Sequence, residues 1–194
     1  RLSPGGERLN IGHIFHERFT IVDVKSLEVE RVIDMPEGVR PFEISPDEKV
    51  IYTQLSNIHG VAVVEVETGE ILKTVNMTPV MTPTQLKQPF PFTVNHGMAL
   101  TKDGKTLLAA GSVTDNVVVY SLPTFERIAD IPVGKEPNWI IFNNDERFAY
   151  VTNREDNSLS VISMKTLKEV KRGKNVGHYP QRLDTAYVPE RTVR

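Results

Sequence analysis

Apolar residues along the chain come in short runs, broken every ten residues or so by polar turns. Trp139-Ile140-Ile141-Phe142 ends at Asn143-Asn144-Asp145-Glu146, and Phe148-Ala149-Tyr150-Val151 follows. The polar turn Asn153-Arg154-Glu155-Asp156-Asn157 leads to an alternating run, Leu159-Ser160-Val161-Ile162. Met164-Lys165-Thr166-Leu167 then opens a fourth, more polar stretch. Runs of about 4–6 residues with no sustained helical period predict β-strands joined as a meander.

The group of four recurs. Ser3-Pro4-Gly5-Gly6-Glu7-Arg8-Leu9, Ser45-Pro46-Asp47-Glu48-Lys49-Val50-Ile51, Thr101-Lys102-Asp103-Gly104-Lys105-Thr106-Leu107 and Asn143-Asn144-Asp145-Glu146-Arg147-Phe148-Ala149 share a turn-then-strand outline. Their starts are 42, 56 and 42 residues apart, so the middle interval holds a 14-residue insertion. A degraded fifth start falls near Asp184, 41 residues on. Four strands in roughly 40–45 residues is the size of one propeller blade. The predicted fold is all-β: a β-propeller of four-stranded antiparallel blades, about four in this chain. It is one domain over residues 1–194, partial if the propeller is larger, with a loop insertion at 76–94. A β-sandwich is the rival, but sandwiches keep no fixed four-strand period. The chain opens at the end of an innermost strand, and Tyr179 to Thr185 offer one more, which makes sixteen strands.

Composition agrees. Val, Ile and Thr make up 53 of 194 residues and Ala only 7, good material for strands and poor for helices. A net charge of −2 argues against a nucleic-acid partner. With no cysteine, disulfides, thiolate zinc sites, iron–sulfur clusters and attached c-type haem are excluded. No apolar run approaches the roughly 20 residues of a membrane span. The sequence opens without an initiator Met or signal peptide, as a mature or trimmed product would.

Tyr150-Val151-Thr152-Asn153 is the tetrapeptide that names the YVTN family of β-propeller repeats. The Glu136-Pro137 lead-in, acidic turn, polar turn and alternating strand around it resemble that family too. Ile51-Tyr52-Thr53-Gln54 and Leu108-Ala109-Ala110-Gly111 match the slot more loosely. The resemblance implies a periplasmic, secreted or cell-surface protein. Such relatives are binding scaffolds or enzymes, and their rings usually have about seven blades. A fragment or half of a larger propeller is therefore favoured over a four-bladed ring. In the ring, Glu43 and Arg182 would lie in neighbouring blades and meet as an ion pair.

Catalytic strings are absent: no phosphate-binding Gly loop, no HExxH, no GxSxG. One constellation stands out. In a propeller, turns between second and third strands share a face of the disc with the connections between blades. His13, His16 and His59 fall in the former, His96 and His178 in the latter, so all five belong to one face. Arg40, His96, Asn138 and Tyr179 occupy one repeat slot and should ring the channel mouth. The ligand-binding candidates are thus Arg40, His59, His96, Asn138, Tyr179 and His178. The weak metal candidates are His13, His16, His96 and His178; no cofactor is predicted, with a divalent metal as the alternative. The insertion, with Pro89-Phe90-Pro91-Phe92, would pack over the same face and bury a phenylalanine. The expected function is a non-catalytic binding or scaffold propeller that presents this face to a protein partner, a second chain completing the ring, or a small ligand. The alternative is a metal-assisted, lactonase-like hydrolase or lyase at the channel mouth.

Overall fold

Three of the four anchor turns are the same hydrogen-bonded device, which is why the repeat shows in the sequence. In the computed structural model, which describes residues 1–77 and 94–186, the side-chain oxygen of the turn's first residue accepts from the amide five positions on. Ser45 Oγ accepts from Val50 N at 2.9 Å, Thr101 Oγ1 from Thr106 N at 3.0 Å and Asn143 Oδ1 from Phe148 N at 3.0 Å. The Asp two positions on accepts from that first side chain, at 2.6 Å from Ser45, 2.7 Å from Thr101 and 2.6 Å from Asn143. These bonds favour the ionised carboxylate. Asp47 and Asp103 are lowered chiefly by the Ser45 and Thr101 hydroxyls, Asp145 chiefly by the Arg147 amide. The fourth position takes a left-handed backbone, with φ of 59° at Glu48, 69° at Gly104 and 54° at Glu146.

The turns join fifteen strands among the described residues. Blade one is β1 (Arg8–His13), β2 (Arg18–Asp23) and β3 (Val29–Asp34); blade two is β4 (Val39–Ile44), β5 (Val50–Leu55), β6 (Ile58–Glu65) and β7 (Ile71–Asn76). Blade three is β8 (Met98–Leu100), β9 (Thr106–Gly111), β10 (Asn116–Ser121) and β11 (Glu126–Pro132); blade four is β12 (Pro137–Phe142), β13 (Phe148–Asn153), β14 (Ser158–Ser163) and β15 (Lys168–Lys174). Each blade is an antiparallel meander in sequence order. A register shift recurs at Ile21/Val22, Val63/Val64, Val119/Tyr120 and Val161/Ile162, the same place in every blade. An extra residue there twists the outermost strand away from its neighbour. That strand is the most exposed of each blade, hence its polar pattern.

The core is three layers between blades. Phe19, Ile21 and Ile33 of blade one pack on Ile51, Ala62 and Val64 of blade two. Tyr52, Val61 and Val63 then meet Leu107, Ala109, Val118 and Tyr120. Leu108, Ala110, Val117 and Val119 meet Ala149, Val151 and Ile162. Alternation along each strand supplies both faces, so every middle blade is apolar on both sides.

Two expectations need correction. The sixteenth strand is not formed: residues 175–186 carry no strand, and the first sheet has three strands. Arg1–Ser3 instead lie beside β1, with Arg1 N donating to Asn10 O at 2.8 Å and Ser3 N to Arg8 O at 2.8 Å. The last repeat is spaced by 43 residues, not 41: Tyr179 N donates to Asn157 Oδ1 at 2.7 Å as Glu136 N does to Asp115 Oδ1 at 2.8 Å. Arg182 is therefore the counterpart of Trp139 and not of Glu43. The Glu43–Arg182 pair, expected only of the four-bladed ring, does not form: Glu43 pairs with Arg1, while the Arg182 guanidinium stacks 5.0 Å from the Trp139 ring centroid. The expected packing of the insertion, with Phe90 and Phe92, falls outside the described residues.

Candidate functional site

Backbone hydrogen bonds sort the turns into two faces. Val24 N donates to Glu7 O, Val66 N to Lys49 O, Leu122 N to Lys105 O and Met164 N to Arg147 O, which ties the first and third turns of each blade together. On the other face Met35 N donates to Glu17 O, Ser56 N to Gly38 O and Val133 N to Asp115 O, which ties second turns to the connections between blades. Here Gly38 is required, because a Cβ would stand 1.8 Å from Ile14 O.

The inner ends of the blades meet on this second face. Residues Ile14, Val39, Arg40, Phe42, His96, Trp139, Arg182 and Arg1 are among those around a pocket of about 300 Å³. Its geometry starts with the irregular pairing of β12 on β13 between Pro137 and Trp139. Trp139 N turns to Thr152 Oγ1 at 3.1 Å, and Thr152 Oγ1 in turn donates to Gln181 O at 3.0 Å. The Asn138 carbonyl is left for His96, whose Nδ1 lies 3.1 Å away. Gly97 allows this approach, since a Cβ there would come within 2.5 Å of Asn138 O.

A carbonyl only accepts, so Nδ1 carries the proton and Nε2 presents its lone pair. Burial first, with the charges of Arg154, Arg40 and Arg182 adding, pushes the His96 pKa down to about 4. The imidazole is neutral at neutral pH. Beside the pocket, Arg154 pairs with Glu136, and Tyr179 Oη donates to the same carboxylate at 3.2 Å. The Arg154 guanidinium covers the Tyr179 ring at 5.0 Å.

The structure treats the predicted residues unequally. Arg40 and His96 line the pocket, and Asn138 is buried behind it, supplying the carbonyl. Tyr179 sits in the outer cluster with Glu136 and Arg154; the residue in register with Arg40, His96 and Asn138 is Gln181. His178 is exposed beside Tyr179, their ring centroids 6.5 Å apart. The His59 backbone opens β6, and its side chain lies outside the described set. His13 and His16 neighbour each other at 6.5 Å, with His13 Nε2 2.9 Å from Thr20 Oγ1. The four metal candidates are not brought together, and among the described residues no group of three His, Asp or Glu could hold a metal ion. Trp139 and Phe42, absent from the sequence-based site, form its apolar wall. A larger concavity of about 550 Å³ lies on the opposite face between blades one and two. Arg8 there pairs with both Glu30 and Glu48.

The fold and this inner pocket define a chain of β-propeller blades. No family model matches the sequence, and no curated protein matches it. Among solved structures it is similar to hydrazine synthase of Kuenenia stuttgartiensis, with a TM-score of 0.73 and 17% identity over 88% of this chain. The match spans 47% of that protein's chain, so this chain covers under half the neighbour's length. Identity that low carries the fold alone.

Proposed function

We propose that this chain is part of a YVTN-type β-propeller, one domain over 1–194 with the 76–94 insertion, acting as a non-catalytic binding scaffold. Its working face is the one bearing the connections between blades, and a small ligand or partner docks at the channel mouth. The carrying observation is the pocket itself, walled by inner segments of all four blades around a neutral His96. A base with a pKa of about 4 is a poor proton acceptor at neutral pH, where general bases work best near the operating pH. That, with the separation of the four metal candidates, favours binding over the metal-assisted hydrolase. The proposal includes a periplasmic, secreted or cell-surface location, as the YVTN resemblance implies.

A second chain or further blades would complete the ring. Phe148, Tyr150, Leu159 and Val161 form an open apolar hollow on blade four. In register they are Val50, Tyr52, Val61 and Val63, which blade three covers. The same residue types in the same positions call for the same cover.

A thermal-shift screen of small molecules, with a parallel panel of lactones and esters assayed with and without divalent metals, tests the reading. Stabilisation by a small ligand that Trp139→Ala abolishes, without turnover, supports it. Metal-dependent hydrolysis that His96→Ala abolishes overturns it in favour of the enzyme.

A further inference from the structure

Apolar side chains lie exposed at both ends of the stack of blades, on one side of blade four and on the opposite side of blade one. The repeat spacing ties both ends to an interface that the chain already contains. Where blades two and three meet, Val50, Tyr52, Val61 and Val63 pack against Leu107, Ala109, Tyr120, Leu122 and Phe125. Exactly the residues 98 positions on from the first set, Phe148, Tyr150, Leu159 and Val161, line the open hollow of blade four. The residues 98 positions before the second set are Leu9, Ile11, Val22, Val24 and Leu27 of blade one. Leu107 and Ala109 are fully buried, whereas Leu9 and Ile11 are each 37% exposed and Leu27 is 78% exposed.

Resting on the reading that a second chain or further blades complete the ring, we infer that the open face of blade four takes blade one of a second copy of this chain. The two faces would repeat the contact between blades two and three, with side-chain volume conserved across it. Phe148 and Leu159 in place of Val50 and Val61 add five side-chain heavy atoms on the blade-four side. Across from them, Ile11 in place of Ala109 adds three, whereas Val22, Val24 and Leu27 in place of Tyr120, Leu122 and Phe125 remove nine. A fuller side is thus met by a leaner one, as close packing requires. A cation is matched as well. Lys73 Nζ lies 5.3 Å from the Phe125 ring centroid and donates to Thr124 O at 3.0 Å. Arg31 Nη1 makes the corresponding reach from blade one to Glu67 O on blade two. Lys171, 98 positions on from Lys73, has no acceptor among the described residues. A second copy offers it the Ser26 carbonyl, 98 positions before Thr124, beside Leu27 in place of Phe125. Because the contact joins two different faces, each copy can make it twice. Two copies then hold eight blades, within the range of about four to eight found in propellers.

Sedimentation of the full chain and of two variants, alone and mixed, tests this. Leu159→Lys spoils the face of blade four and Leu9→Lys that of blade one. Neither side chain is buried, so both variants should stay folded, which melting curves check. Val161→Lys and Ile11→Lys carry the same test should either misfold. The parent should associate as concentration rises. Each variant alone should stay monomeric, since every contact would then bury a lysine without a partner. Mixing the two should restore association, because one keeps an intact blade one and the other an intact blade four. A parent that is monomeric at every concentration overturns the inference. A variant that associates alone overturns it too, since the contact would then join two like faces, and so does a mixture that stays monomeric. None of these outcomes touches the ligand reading at the channel mouth, which its own screen decides.

Discussion

Glu43 offers a test of the inner wall that does not depend on any ligand. It lies on β4 with its side chain 12% exposed, paired with an Arg1 side chain 38% exposed. Burial pushes its carboxyl from 4.5 up to about 7, and the Arg1 charge only partly offsets this. A folded-state pKa above the unfolded one means that the folded chain holds the proton more tightly. Stability is then full below pH 4.5 and is lost as pH rises through about 7. At 1.36 kcal/mol per pKa unit, the loss by pH 8 is about 3 kcal/mol. His96 has the opposite sign: its pKa falls from 6.5 to about 4, so its contribution is lost on acidification through that range. The two slopes nearly cancel in the parent protein and hide each other. Glu43→Gln removes one. Urea denaturation followed by circular dichroism, repeated from pH 4.5 to 8, should show the variant gaining about 3 kcal/mol on the parent across the series. Differencing cancels the other titrating groups, and Arg1 can turn to water when its partner is gone. A difference independent of pH would refute the claim that burial dominates the Arg1 pairing.

Three further outcomes follow from the same geometry. Imidazole resonances in NMR should show His96 still neutral at pH 5.5 and titrating near 4; a midpoint near 6.5 would mean that the pocket is open to water. Val61→Ala, at a fully buried position between blades two and three, should cost about 2 kcal/mol, and Leu159→Ala in the open hollow of blade four under about 1. Sedimentation at rising concentration should reveal association that Leu159→Lys removes; a monomer at every concentration would sink the idea that this face needs cover.

The blades were legible because their turns are local. Ser45, Thr101 and Asn143 each close a ring over five residues, and Asp two places on completes it, so spacing alone exposes the repeat. The last repeat is less legible, because Asp184 resembles an anchor turn but stands in register with Ile141, two residues before the turn position. Val133-Gly134-Lys135-Glu136-Pro137 and Val176-Gly177-His178-Tyr179-Pro180 set the true interval of 43, and both hold a left-handed backbone just before the proline. The pocket was less legible. Arg1–Glu43 and Arg182–Trp139 join residues 42 and 43 apart, at matching or neighbouring slots of successive repeats. A repeat pattern assigns each residue a layer, but which partner a long arginine finds in that layer depends on side-chain reach.

The tetrapeptide at the centre of the resemblance has a physical reading, residue by residue. Tyr150 faces the open hollow, Val151 packs toward blade three, and Thr152 bridges Trp139 N to Gln181 O. Asn153 donates to Ser158 Oγ at 2.9 Å and Ser160 Oγ at 2.8 Å, closing the turn between β13 and β14. In blade two the register-matched residues are Tyr52-Thr53-Gln54-Leu55, one place on from the loose sequence match Ile51-Tyr52-Thr53-Gln54. There Gln54 takes the bridging role, its Nε2 3.5 Å from Gly97 O in the segment leading into blade three. Thr152 makes the corresponding reach to Gln181, in the segment that follows blade four. A third-position side chain that grips the lead-in to the following innermost strand is thus used twice. At Gln54 the gripped segment goes on to form β8; at Thr152 it runs on past Arg182, whose charge it delivers to the channel mouth.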